Sequence, residues 1–553
     1  MIPRVLSAWA VLGLVFLTEG AIGRSITPSN SIVASHRDPD IKVTFQEVIS
    51  PPSLTSHQPQ PINISSNPHL RNYPLNVKSY SGYITLPSIS ADNQRYKANV
   101  FFWFIEARES PRTAPLTVWL QGGPGAASST QVVSGHNGPC IVQPDAKSTA
   151  PNPWSWNSVS NMLYIDQPVQ IGFSYDDEPV NVGGKGAFSS QDPRRTVNTT
   201  AAAARVIKEL LSAWFGEFGQ YKRHSINIWS RSYGGHFAPA VANLLLPPSK
   251  GSIVTHIPRG CRKRDHKDSN FHIGINSVGI INGIVDLVIQ APSYPKFAIN
   301  NTYGIKAISD EAATLAMQSI TKPGNRGTNT SVNSVCAAAF GFCWANVYGV
   351  YEAISGRNPF DITHPLPDPP PPIYGQEFLN SERVREELGA RINFTDTSGV
   401  VASGFIATGD FVRGYTHEIS SLLDAGVKVA LIYGDRDYRA NWRGGEAISL
   451  ALRHASHLSF AATSYTDIST NNSYIGGKVR QHENLSFSRV FQAGHEVPYY
   501  QPQTAYEIFA RTLRGLNIAT GAVDATPYGK NGYRKREEPT GGRSSVVDAK
   551  ASY

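Results

Sequence analysis

The sequence predicts an α/β chain in which a mixed central sheet carries helices on both faces and is interrupted by a helical insertion. Apolar runs short enough for buried strands alternate with amphipathic helix patterns through the middle of the chain. Two of these runs, Ser225-Ile-Asn-Ile-Trp229 and Lys428-Val-Ala-Leu-Ile-Tyr433, stop at glycine-bearing turns that hold chemically active side chains. A stiff Pro365-Leu-Pro-Asp-Pro-Pro-Pro-Pro372 segment, neither helix nor central strand, closes a helix-rich stretch.

Each element follows from its residues. Met1-Ile-Pro-Arg4, apolar Val5 to Leu17 and small residues near Gly20 to Gly23 predict a signal peptide over 1–23. That run is short for a membrane span, and Ser544 to Tyr553 is no hydrophobic anchor signal, so no membrane anchor is expected. Residues 24–75, rich in Ser, Pro and Asn, read as an extended arm or pro-segment. Residues 76–286 form the first part of the core, where Thr199 to Trp214 is an amphipathic helix and Phe237 to Leu246 an apolar one. Residues 287–375 read as a helical lid insertion, 376–520 as the second part of the core, and 521–553 as a polar, glycine-rich, disordered tail.

Composition narrows the function. A chain of 553 residues holds one large α/β domain with an insertion. The net charge of +8 comes with local basic clusters, Arg259-Gly-Cys-Arg-Lys-Arg264 and Arg534-Lys-Arg536, which read as exposed loops; no nucleic acid is expected as partner. Sequons at Asn63, Asn198, Asn300, Asn329, Asn393, Asn471 and Asn484 fit a secreted glycoprotein, with the vacuole as alternative destination. Cys140, Cys261, Cys336 and Cys343 would pair in an oxidising compartment, and loop length favours Cys336–Cys343. Their spacing is no zinc pattern, and no phosphate loop or dinucleotide fingerprint precedes a helix, so neither metal nor cofactor is expected. A monomer or homodimer is expected.

The chemistry lies in three segments: Ser232 in Trp229-Ser-Arg-Ser-Tyr-Gly-Gly-His236, Asp437 in Tyr433-Gly-Asp-Arg-Asp437, and His495 in Ala493-Gly-His-Glu-Val-Pro498. Nucleophile, acid and base in that chain order are the arrangement of α/β-hydrolases. A serine hydroxyl attacks only when a base takes its proton. Ser232 sits between a strand and a helix, with small Ser230 and Gly234 two positions to either side. The helix N-terminus beyond it favours developing negative charge. Asp435 competes with Asp437 for the role of acid; His236 reads as packing, and His454 and His457 as surface residues.

These segments, with Trp119-Leu-Gln-Gly-Gly-Pro-Gly125, Asn152-Pro-Trp-Ser-Trp-Asn157, Ile165-Asp-Gln-Pro168, Gly172-Phe-Ser-Tyr175, Asn282-Gly283 with Asp286, and Lys78-Ser-Tyr-Ser-Gly-Tyr83, resemble the serine carboxypeptidases of the peptidase S10 family, its fungal secreted branch above all. The likeness runs from about Lys78 to Leu516. It implies an α/β-hydrolase fold and release of C-terminal residues from peptides or proteins. Ser232 would attack the last peptide carbonyl, His495 would shuttle the proton, and Asp437 would orient the imidazole. The Gly123 and Tyr233 N–H groups would hold the oxyanion, each such donor being worth about 3 kcal/mol in barrier. The insertion and Tyr233 would shape the pocket for the penultimate side chain. The family assigns the second acid of Gly-Asp-Arg-Asp to the triad.

The departures concern recognition of the substrate carboxylate. The family uses an Asn in the Gly-Gly-Pro segment and two Glu residues that share a proton; here Gln121 (beside Gly122), His136 and Arg231 stand there. One reading has Arg231 and His136 bind the carboxylate directly, a geometry that suits guanidinium and extends activity toward neutral pH. The other has carboxylate recognition lost, leaving an esterase, an acyltransferase or an inactive relative. Glu496, after the base, would lie near the leaving residue, either favouring basic C-termini or turned to solvent.

Overall fold

The computed structural model describes residues 32–35, 40–48, 77–88, 95–247, 271–321, 332–366 and 374–523. The signal segment, Cys261, both basic clusters, the sequons at Asn63 and Asn329, most of the proline run and nearly all of the tail lie outside these residues.

The strands of the main sheet are β1 (Ile32–Ser35), β2 (Lys42–Val48), β3 (Ser79–Leu86), β4 (Ala98–Ile105), β5 (Leu116–Leu120), β6 (Asn161–Ile165), β7 (Ser225–Arg231), β8 (Gly274–Ile281), β9 (Lys428–Gly434), β10 (Thr466–Asn471), β11 (Tyr474–His482) and β12 (Leu485–Val490). Their order is β1-β2-β3-β4-β6-β5-β7-β8-β9-β12-β11-β10, with Tyr175–Asp176 pairing beside β4. The inner strands β6, β5, β7, β8, β9 and β12 are parallel, and both flanks are antiparallel. Parallel strands are covered on both faces, which is why β5 and β6 are buried at every residue and read as continuous apolar runs. Part of the segment read as an arm belongs to this sheet: β2 pairs antiparallel with β3 through Lys42 to Val48, burying Val43 and Val48.

Helices α1 (Thr200–Glu217) and α2 (Gly234–Leu245) pack together on one face. Thr199 caps α1 by accepting the Ala202 N–H, and the helix buries Ile207, Leu210, Leu211 and Trp214. The other face carries the last helix, Pro502–Arg514, whose Phe509 stacks on Trp156 at 4.0 Å and meets Trp229 edge-on at 4.8 Å. Three loops leave the C-terminal ends of parallel strands β5, β7 and β9, where α/β sheets place their sites.

Between β8 and β9 the described residues carry no strand of the main sheet and several helices, among them α3 (Asp310–Thr321), α4 (Val332–Cys343), α5 (Gly399–Ala407) and α6 (Thr416–Asp424). Tyr294, Phe297, Phe340, Tyr348 and Tyr351 form a second apolar cluster there, joined by Tyr438 from the loop after β9. The expected Cys336–Cys343 bridge is absent: both thiols are free and lie on α4. Seven residues of helix separate their Cα atoms by about 10 Å, against a limit of about 7 Å for a disulfide. The helical rise between them, not the loop length, decides this. His454, expected at the surface, is buried.

Candidate active site

β7 ends at Arg231 and α2 begins at Gly234, so Ser232 occupies the sharp turn between them with φ of 61°. Such backbone is costly for a residue with a Cβ and is fixed by its surroundings. Here the Ser232 N–H donates to the Ile281 carbonyl (2.9 Å), and the Ser232 carbonyl accepts from Gly235 (2.9 Å) and Ile284 (3.0 Å). A Cβ at Gly234 would come within 2.5 Å of the Ser230 Cβ, so one of the two flanking positions must be glycine. Ser230 fits the other because its hydroxyl folds onto the Gly234 carbonyl at 2.9 Å. Ser232 itself is half-buried, open to the site.

His495 and Asp437 meet at 2.7 Å between Nδ1 and Oδ2. The same Oδ2 accepts from Asn282 Nδ2 (2.6 Å) and the Ala440 N–H (3.2 Å). Asn282, at the end of β8 with φ of 43°, also accepts the Gly434 N–H (3.1 Å), so one side chain ties β8 to the acid loop. The His495 N–H donates to Phe360 (2.9 Å), whose ring lies 5.0 Å from the imidazole. Asp435 takes a different place: it accepts from Tyr303 (2.6 Å) and the Gln492 N–H (2.9 Å) and pairs with Arg489 (3.3 Å). His236 is fully buried, bonded through Nδ1 to the Ile284 carbonyl (2.7 Å) and stacked on Tyr233.

The segment after β5 presses on the Ser232 turn. A Cβ at Gly122 would lie 2.5 Å from both the Arg231 carbonyl and the Tyr233 nitrogen, and Gly123 has φ of 110°. Only glycine at 122 lets this segment approach the Tyr233 amide so closely, and the backbone at 123 is one that glycine adopts without strain. The Tyr233 ring is buried among Phe237, Phe405 and Phe411, so it reaches no pocket for a substrate side chain.

The residues expected at the carboxylate-binding positions, Gln121, His136 and Arg231, gather. Gln121 follows Leu120, which is in register with Ser230, and so flanks Arg231. Arg231 pairs with Glu496 at 3.3 Å, both buried. Glu496 is therefore neither turned to solvent nor free to meet a basic substrate. Among the described residues, Gln121 Oε1, both nitrogens of His136, Nε and Nη1 of Arg231 and Glu496 Oε2 are buried without a partner. Burial, and then the Arg231 charge, hold His136 well below its ordinary pKa, so it is neutral. One residue of this group was not foreseen: Asp396, which accepts from Thr130 Oγ1 (2.5 Å) and whose pKa is raised by burial and lowered again by Thr130 and Arg231. No motif marks it, since it arrives from the far side of the insertion.

The fold is that of an α/β-hydrolase, with Ser232 in the turn after β7 and the His495–Asp437 pair in the loops after β12 and β9. The family model for serine carboxypeptidases (Peptidase S10) matches residues 68–515, and the chain belongs to that family of serine-type carboxypeptidases. It is 39% identical over 512 residues to carboxypeptidase S1 homolog A of Trichophyton rubrum, covering 82% of this chain and 77% of that one. Carboxypeptidase S1 of Penicillium janthinellum is 30% identical over 457 residues, covering 80% of this chain and 97% of its own. Among solved structures, Kex1Δp, a prohormone-processing carboxypeptidase from Saccharomyces cerevisiae, matches with a TM-score of 0.63 at 22% identity, over 80% of this chain and 92% of its own.

Proposed function

We propose that this chain is a secreted or vacuolar carboxypeptidase that releases C-terminal amino acids through an acyl-enzyme on Ser232 and binds the terminal carboxylate with a cation. Ser232 Oγ attacks the last peptide carbonyl and passes its proton to His495 Nε2, which hands it to the departing amine. Water, deprotonated by the same imidazole, then frees the acyl group. Asp437 holds the His495 Nδ1–H, and the Gly123 and Tyr233 amides receive the oxyanion. The helices between β8 and β9 act as a lid over the cleft.

The observation that carries the carboxylate reading is Arg231 beside the nucleophile, buried, with two of its nitrogens unpartnered and neutral His136 and Gln121 near it. A substrate carboxylate supplies the missing acceptors. The Arg231–Glu496 pair at 3.3 Å favours a second reading, in which Glu496 permanently occupies the cation and the chemistry has moved to esters or acyl transfer. Arg231→Gln separates the two. Under the first reading, KM for a blocked dipeptide rises at least tenfold while KM for its ethyl ester changes little. Equal changes for both reject the carboxylate role. For secretion, the apolar leader is the support, together with sequons at Asn198, Asn300 and Asn471, all exposed. Asn393 is a poorer acceptor, because its Nδ2 donates to the Lys185 carbonyl at 2.6 Å.

A further inference from the structure

The two proposed oxyanion donors follow different strands, β5 and β7, yet one stretch of the second part of the core, residues 396–411, touches the segments of both. Near its start, the Asp396 carbonyl accepts the Ala127 N–H (2.9 Å) and the Ser398 N–H donates to the Gly125 carbonyl (2.7 Å), pinning the arm that carries Gly123. Ser398 then caps α5, and Gly409, at φ of 67°, turns the chain into Asp410. Asp410 is buried, and its Oδ2 accepts from the Tyr233 hydroxyl (2.7 Å), the Thr200 N–H (3.0 Å) and the Thr200 hydroxyl. Its Oδ1 is buried with no partner among the described residues. Phe405 and Phe411 from the same stretch pack on the Tyr233 ring at 5.7 and 4.6 Å between centroids.

We propose that Asp410 is a positioning residue, which holds Tyr233 by its hydroxyl and so fixes the backbone N–H that receives the oxyanion. The proposal rests on the acyl-enzyme reading above. A ring fully buried and anchored at its tip cannot rotate, and the backbone N–H of this residue, the next after Ser232, is thereby held. A hydrogen bond from a hydroxyl to a carboxylate is the strong kind suited to such a strut. Donors aimed at the transition state lose effect steeply when displaced, since their value depends on prior orientation. Segment 396–411 is then a clamp across both donor arms, with Asp410 as its fixed end.

The test compares wild type, Tyr233→Phe, Asp410→Asn and the double variant. A fluorophosphonate probe counts competent serines, and kcat and KM are measured per titrated site on a blocked dipeptide. The expected result is a roughly tenfold fall in kcat with KM little changed in each single variant, and no further fall in the double. Losses that multiply in the double variant, or a kcat per titrated site within twofold of wild type, overturn the proposal. Tyr233→Phe keeps the packed ring, so it decides the matter alone if Asp410→Asn does not fold. Failure of the probe to label wild-type Ser232 overturns the acyl-enzyme reading and the proposal with it; labelling with unchanged kcat in the variants overturns the proposal only.

Discussion

At the scale of single residues, the group around Arg231 decides how the site meets a negative substrate. Arg231 carries one positive charge, against Glu496 at 3.3 Å and the nearby Asp396 carboxyl. If both acids are ionised the cluster is net negative and repels a substrate carboxylate. The pKa of Asp396 is raised by burial, so acid pH keeps it neutral and favours binding. As pH rises through that raised value, the new negative charge competes for Arg231. KM for a free-acid dipeptide is therefore expected to increase with pH, and Asp396→Asn to flatten the increase while leaving ester KM unchanged. An unaltered pH profile in Asp396→Asn removes that residue from carboxylate binding. That outcome would run against the reading in which a cationic site extends activity toward neutral pH. The Gly-Asp-Arg-Asp ambiguity also resolves at this scale, because Asp437 reaches His495 at 2.7 Å while Asp435 turns to Tyr303 and Arg489. Two acids two residues apart in a loop carry no periodicity that separates them; only the resemblance did.

Among the elements, the loop after β6 shows burial setting a pH dependence. Asp166 is fully buried and accepts from the Ser129 N–H (2.9 Å), the Ser129 hydroxyl (2.8 Å) and the Phe173 N–H (3.2 Å), joining the segment after β5 to that after β6. Burial outweighs these donors and raises its pKa to about 6. A carboxyl raised in the folded state contributes stability below its unfolded pKa near 4, and that contribution is lost as pH rises through about 6. A displacement of this size corresponds to about 3 kcal/mol. Thermal unfolding between pH 4 and 7 is expected to show a falling melting temperature, less steep in Asp166→Asn. Parallel slopes in the two proteins contradict this assignment. The strands themselves were legible, β7 and β9 almost to the residue, because both are buried on two faces and bounded by turns. The long-range contacts were not: Phe360 in the insertion, and Asp396 and Asp410 in the second part of the core, meet partners far away in sequence and leave no local pattern. Asn282 had a signal, an Asn-Gly pair following an apolar run, but its tie to Asp437 needed the fold.

For the whole molecule, topology explains both what was read correctly and what was missed. The order of Ser232, Asp437 and His495 predicted an α/β-hydrolase, since each lies past the end of a parallel inner strand, β7, β9 or β12. Cysteine pairing had no comparable constraint, and loop length pointed to two residues that lie on one and the same helix. Alkylation of the unfolded, unreduced protein is expected to modify both Cys336 and Cys343, as mass spectrometry of the peptide would show. Protection of the pair until reduction contradicts their placement on α4.

The acyl-enzyme carboxypeptidase reading is tested most directly by following one blocked dipeptide as free acid, amide and ethyl ester between pH 4 and 8, with Ser232→Ala as control. The expected result is rapid release of the terminal amino acid from the free acid, slower cleavage of the amide, and no turnover by Ser232→Ala with its fold intact. Cleavage of the ester alone, or free-acid hydrolysis that survives Ser232→Ala, contradicts it.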